Sequence, residues 1–149
     1  PINAFGERTP TFSWMADEMR YFNHQFAAEF MRLTWERAFC VAKAYGGLPA
    51  FVSEKDGKPG SDPDVTDVRG DSVLVSFFRD AKGVRHVAFV NLSHVDSRYL
   101  RFSFAKGVRP EVREWNEWKP MRDIFNAKRE DYMWRPLAPG QLVLVRIAH

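Results

Sequence analysis

Residues 72–92, SVLVSFFRDAKGVRHVAFVNL, constrain the fold of this chain more than any other stretch. Two β-rich runs flank a turn. In the first, Val73, Val75 and Phe77 alternate with Leu74, Ser76 and Phe78. In the return run, Val84, Ala88, Val90 and Leu92 alternate with Arg85, Val87, Phe89 and Asn91. Asp80-Ala81-Lys82-Gly83 supplies the turn: an Asp that bonds its own backbone and a Gly that takes the positive φ of a tight hairpin. A hairpin wetted on one side is apolar on one face only. This one is apolar on both, so it belongs in the middle of a sheet and must be covered twice. One cover is a second sheet; the other comes from elsewhere in the chain or from a separate partner.

With 149 residues, 45% hydrophobic and 28% charged, the chain suits one globular domain with a real core. Its 13 Phe and 5 Trp bring large flat surfaces that need a core or a partner. The net charge of +3 comes from 22 basic and 19 acidic residues, interspersed with no basic block. That pattern argues against a nucleic-acid footprint. Lys82-Gly83 and the strand after it echo an RNA-binding sheet motif, but the stacking positions hold Val84 and His86, leaving only Phe89. Cys40 is the single cysteine and reads as a buried small hydrophobe. No apolar run approaches the roughly 20 residues of a membrane span, and no stretch has a signal-peptide pattern. The sequence opens on Pro1 rather than Met, so an upstream segment is expected.

Before the hairpin, Thr9-Pro10 reads as a helix start. Phe12, Met15, Met19, Phe22, Phe26, Phe30 and Leu33 then recur every three or four residues, a stripe on a helix of about 33 Å at about 1.5 Å per residue. His24 lies in this helix with no second ligand nearby and reads as solvated. Residues 34–45 fit helix or strand, with strand favoured towards their end. Residues 54–71 read as a solvated acidic loop; Asp62, Asp64, Asp67 and Asp71 lack the ladder of a calcium loop.

After the hairpin, an amphipathic strand carries Leu100, Phe102 and Phe104. A short strand follows at 111–115, a turn at 116–120 and a return at 121–125. A strand at 131–135 is broken by Pro136, and a turn at 138–140 leads to a last strand at 141–147. The predicted fold is mainly β: an antiparallel β-sandwich of about 7–8 strands with one long N-terminal α-helix packed beside it.

Catalytic motifs are absent from the sequence: no nucleophile elbow, phosphate-binding glycine loop, H-E-x-x-H or CxxC. Glu111, Glu114 and Glu117 are the candidates for a carboxylate pair, yet they lie beside turns among charges and read as surface. Neither cofactor nor metal is expected. The aromatic residues Trp115, Trp118, Tyr132 and Trp134 are the candidates for carbohydrate contact or for an interface.

Three stretches together resemble a family. GERTPTFSWMADEMRYFN, with Gly6, Thr9, Pro10 and Asn23, is similar to the last helical segment of (β/α)8-barrel glycoside hydrolases of the β-galactosidase/agarase kind. VAFVNLS (87–93) and LAPGQLVLVRI (137–147) resemble the C-terminal β-sandwich that follows such barrels. The resemblance implies a helical segment over 1–35 and a sandwich domain over 36–149. The catalytic carboxylates of that family sit on earlier barrel strands with no counterpart here, so none is carried over. Residues 34–45 and 54–71 depart from its pattern.

The first reading is therefore a non-catalytic, C-terminal accessory β-sandwich of a carbohydrate-active enzyme, buttressing its barrel. Phe12, Met15, Met19, Phe22 and Phe26 would face that missing upstream barrel, or a second copy of the chain. A polysaccharide is a further expected contact, nucleic acid and membrane are not, and a secreted or periplasmic setting rests on the resemblance alone. Two alternatives stand beside it: a self-standing carbohydrate-binding module using exposed Trp residues, and a small sandwich enzyme whose carboxylates are unplaced.

Overall fold

The computed structural model describes residues 2–42, 46–56, 58–126, 128 and 132–149, and among them nine strands and one helical segment. The hairpin forms β3 (Val73–Asp80) and β4 (Arg85–Asn91), paired from Val73↔Asn91 to Arg79↔Arg85. Asp80 closes it, its Oδ1 accepting from the Lys82 and Val84 amides at 2.8 and 2.9 Å, while Gly83 takes φ +84°. β1 (Leu33–Val41) pairs with β3, and β9 (Leu142–Ala148) with β4. β6 (Arg109–Glu114) and β7 (Glu117–Pro120) extend the sheet to six antiparallel strands, β1-β3-β4-β9-β6-β7. A second antiparallel sheet has the order β2-β5-β8: Val65–Arg69, Arg98–Phe104 and Met133–Leu137.

Both covers of the hairpin come from this chain. On one face Val75, Phe77, Val87 and Phe89 join Val65, Val68, Leu100, Phe102 and Leu137 of the second sheet in one core. Phe89 and Phe102 meet across the sheets with ring centroids 4.3 Å apart. On the other face Ala88, Leu144 and Phe78 are covered by Phe26, Phe30 and Leu33, and the Phe30 ring stands edge-on to Phe78 at 5.4 Å.

The helical segment explains how so few residues do this. Thr9 sits extended at the N-cap and Pro10 opens α1 (Pro10–Phe22), as the sequence suggests. A π-helical turn (Asn23–Ala27) follows, then α2 (Ala28–Phe30). The wider turn shifts the buried register and turns both Gln25 and Phe26 inward. Gln25 Oε1 accepts from the Asn116 amide at 3.2 Å, tying the helix to the β6–β7 turn. Upstream of this turn, α1 has no buried residue.

Several expectations need correction. Leu33 opens β1 and is not part of the helical stripe, because the helix ends at Phe30; a boundary at 35 therefore falls inside β1. The loop read over 54–71 contains β2, whose Val65 and Val68 are core residues. The turn read over 116–120 is mostly β7; the chain reverses at Trp115 and Asn116, with φ +49° and +65°. No strand forms over 121–125. β8 runs through Pro136, which an edge strand tolerates because its missing amide faces no neighbour. Tyr45 and Asp131, the ends of two stretches read as strands, lie outside the described residues.

Asn91, fully buried, ties the end of β4 to the turn between β8 and β9. Its Nδ2 donates to the carbonyls of Asp96, Leu137 and Ala138 at 2.8, 3.1 and 3.1 Å. Its Oδ1 accepts from the Ser93 amide at 2.9 Å. Asn91→Ala strands these groups in a dry site, and we expect a loss of at least about 2 kcal/mol in chemical denaturation. Asn91→Asp should be worse at neutral pH, since it sets a carboxylate against three carbonyls. The gap between the two variants should narrow as acid protonates that carboxyl.

Candidate functional site

Among the described residues, the largest charged cluster is built on Asp62, whose side chain is fully buried. Its Oδ2 accepts from Arg37 Nη2 at 2.7 Å and from Arg85 Nη2, and its Oδ1 accepts the amides of Asp64 and Val65 at 2.9 Å. Arg85 also binds Asp64, and Glu36, at the β1 bulge, takes Arg79 at 2.6 Å. Both Arg37 and Arg85 lie over the Phe77 ring, at 5.4 and 5.6 Å. Burial would raise the Asp62 pKa, but the Arg85 guanidinium, the Val65 amide and Arg37 together hold it below the ordinary value of 3.8. Two of the four aspartates read as a solvated loop, Asp62 and Asp64, are therefore a lock that pins the chain before β2 against β1 and β4. A carboxylate held ionised by two guanidiniums is no proton donor near neutral pH.

The predicted aromatic quartet does not form one platform. Trp115 stands at the β6–β7 turn, 76% exposed. Trp118, half-buried on β7, packs on the outer face of the large sheet beneath the helix, with Arg146 and Arg113 guanidiniums 4.8 and 5.5 Å from its ring centre. His86 tilts against it at 5.4 Å and is itself buried. Tyr132 and Trp134 lie on the opposite side of the molecule, with the second sheet.

There the structure adds two rings that the sequence reading missed. Tyr99 on β5 and Phe125 are 59% and 67% exposed, 6.2 Å apart and inclined by only 30°. Phe125 is 6.5 Å from Trp134, and Trp134 is 6.5 Å from Tyr132. Arg101, on the strand position opposite Trp134, lies 5.0 Å over Tyr132 and binds Asp67 at 2.7 Å. The buried carboxylate of Asp123 fixes the backbone at two of these rings: it accepts the amides of Phe125, Asn126 and Trp134 at 2.8, 2.6 and 2.9 Å. Tyr99 had a sequence signal, alternation with Leu100 on an amphipathic strand; Phe125 had none.

The candidate carboxylates are each engaged. Glu111 accepts from Arg146 at 2.7 Å, Glu114 from Arg135 at 3.1 Å, and Glu117 lies 3.9 Å from Lys119. A cleft of about 1030 Å³ opens at one end of the sandwich, and Glu111 is the one Asp or Glu among the described residues of its lining. No group of three His, Cys, Asp or Glu among the described residues is placed to hold a metal ion. Cys40 is buried, and His24 is exposed.

Of the five helix residues, only Phe26 is buried. Phe12 is half-covered, with Arg8 4.8 Å over its ring, and Phe22 stacks on Phe30 at its edge. Met15 and Met19 are 55% and 57% exposed. Trp14 and Tyr21, off the predicted stripe, are exposed as well. The helix is apolar on more than one side, which a count along a single stripe does not detect. No described helix is long and apolar enough to cross a membrane. Comparison with protein families, curated proteins and solved structures finds no match to this chain.

Two measurements check these assignments. Trp118→Ala should cost about 3 kcal/mol of stability, while Trp115→Ala should stay within about 0.5 kcal/mol of the unaltered chain. The second is a pH series. Burial pushes the His86 pKa below 6.5, so its stabilising contribution is complete above that value and declines as pH falls. The Asp62 contribution is present above about 3.8 and is lost as pH falls through its lowered folded value. Melting temperature should thus fall in two acid stages, and His86→Phe should flatten the first while leaving the second.

Proposed function

We propose that this chain is a non-catalytic accessory β-sandwich of a carbohydrate-active enzyme, with α1 docking on a catalytic (β/α)8 barrel. The observation that carries the reading is α1 itself. A helix presenting Phe12, Trp14, Met15, Met19 and Tyr21 with none of them buried is apolar surface made to be covered. The rest of the helical segment is anchored on the sheet by Phe26, Phe30 and Gln25, so α1 is held at a defined position for a neighbour. The resemblance of residues 6–23, 87–93 and 137–147 to the end of a glycosidase chain supports the barrel as that neighbour. The engagement of Glu111, Glu114 and Asp62 with basic side chains supports a structural rather than a catalytic role.

The test compares the isolated chain with the full product of its gene. The full product should hydrolyse glycosides, and the isolated chain should not turn over aryl-glycosides. Met15→Asp/Met19→Asp should leave the melting temperature of the isolated chain within about 2 °C, since both side chains are exposed there. In the full product the same pair should lower it by several degrees. A full product without glycosidase activity, or one indifferent to the double substitution, rejects the reading.

A further inference from the structure

We infer that the outer face of the β2-β5-β8 sheet is a binding surface for a neutral saccharide chain, centred on Tyr99, Phe125, Trp134 and Tyr132. Three features of this face point to that ligand. The first is the row itself: four rings, each 6.2 to 6.5 Å from the next, in which Tyr99 and Phe125 lie mostly in solvent, inclined by 30° to each other, while the half-buried Trp134 meets Phe125 and Tyr132 edge-on at 71° and 82°. Sugar rings offer flat C–H faces that stack on such aromatics.

The second is preorganisation. A mostly exposed phenylalanine gains little from folding, yet Asp123 spends a buried carboxylate on fixing the backbone at Phe125 and Trp134. Rings held in position before the ligand arrives lose less entropy when it binds.

The third is the charge pattern, which selects among occupants. The arginines that the described strands carry on this face are paired: Arg101 and Arg69 share Asp67 at 2.7 and 2.9 Å. Among the described strand residues of this face no unpaired guanidinium is left to favour a phosphate backbone or an anionic headgroup. Between the rings the strands carry Arg101, Ser103 and Arg69 instead of aliphatic side chains, a poor seat for the apolar stripe of a partner helix. Rings interleaved with paired polar groups suit a ligand with one C–H face and a rim of hydroxyls, which Arg101 and Asp67 can meet with hydrogen bonds. This face lies on the sheet opposite the one that Phe26 and Phe30 of the helical segment cover, so the inference does not depend on what α1 meets.

The experiment is native affinity electrophoresis of the chain through gels containing hydroxyethyl-cellulose, arabinoxylan, galactomannan or agarose. At least one should retard it, and the retardation should persist at high salt. Phe125→Ala and Trp134→Ala should each weaken binding at least about fivefold, the low end for losing a stacked ring by analogy with bases on aromatics. Tyr99→Ala gives a third reading should Trp134→Ala disturb folding, which thermal unfolding reports. Trp115→Ala and Met15→Asp/Met19→Asp should leave the retardation unchanged; the latter separates this site from the helix. The inference is overturned if none of the four polysaccharides retards the chain, or if retardation survives the ring substitutions. It is equally overturned by retardation that salt abolishes, or by a sedimenting dimer that Phe125→Ala disperses.

Discussion

A strand pair that is apolar on both faces has to be covered on both, and the architecture of this protein is the solution to that constraint. The β3–β4 hairpin takes the second sheet on one side, where Phe89 and Phe102 meet. On the other side it takes the last turns of a helix, where Phe26 and Phe30, with Leu33 and Trp118 beside them, reach Ala88, Leu144 and Phe78. Two apolar faces are thus served by very unequal covers. The π-helical turn is what makes the smaller one sufficient, since it buries Gln25 and Phe26 in succession. It also leaves α1 beyond the sheet, apolar and in solvent.

Polar groups inside the molecule hold segments rather than perform chemistry. Asp62, Asn91 and Asp123 are all buried, and each gathers backbone groups or guanidiniums from separate parts of the chain. Asp62 fastens the stretch before β2 to β1 and β4. Asn91 joins the end of β4 to the β8–β9 turn, and Asp123 joins the chain after β7 to the start of β8. A buried polar side chain is costly unless its bonds are complete, and completing them from distant segments makes each one a clasp.

The aromatic residues divide into separate tasks. Phe77, Phe89 and Phe102 fill the space between the sheets, where they are fully buried. Trp118 forms a floor between helix and sheet with Arg146, Arg113 and His86 around it. Trp14 and Tyr21 belong to the uncovered helix, and Tyr99 and Phe125 to the outer face of the second sheet. Two of the molecule's surfaces are therefore rich in exposed rings, and they lie on different elements with different polar surroundings. A chain with 13 Phe and 5 Trp has more aromatic area than one sandwich core needs.

What the sequence alone determined is local. The alternation in 72–92 and the Asp80–Gly83 turn dictated a hairpin, and the two-faced pattern dictated its central place. Thr9-Pro10 with its periodic stripe dictated a helix. These signals depend on side-chain period and turn chemistry within a few residues, so the chain states them without its neighbours. Tertiary structure alone decided the rest. Asp62 looks like one of several loop aspartates until Arg85, 23 positions away, meets it. Gln25 becomes a buried anchor only because Asn116 lies 91 positions on and folds beside it. Trp115 and Trp118 are three residues apart, yet one is in solvent and the other under a helix, because a β-turn and its strand face different neighbours. Whether a polar or aromatic side chain is buried depends on partners that only the assembled sheets bring within reach, and no local pattern encodes them.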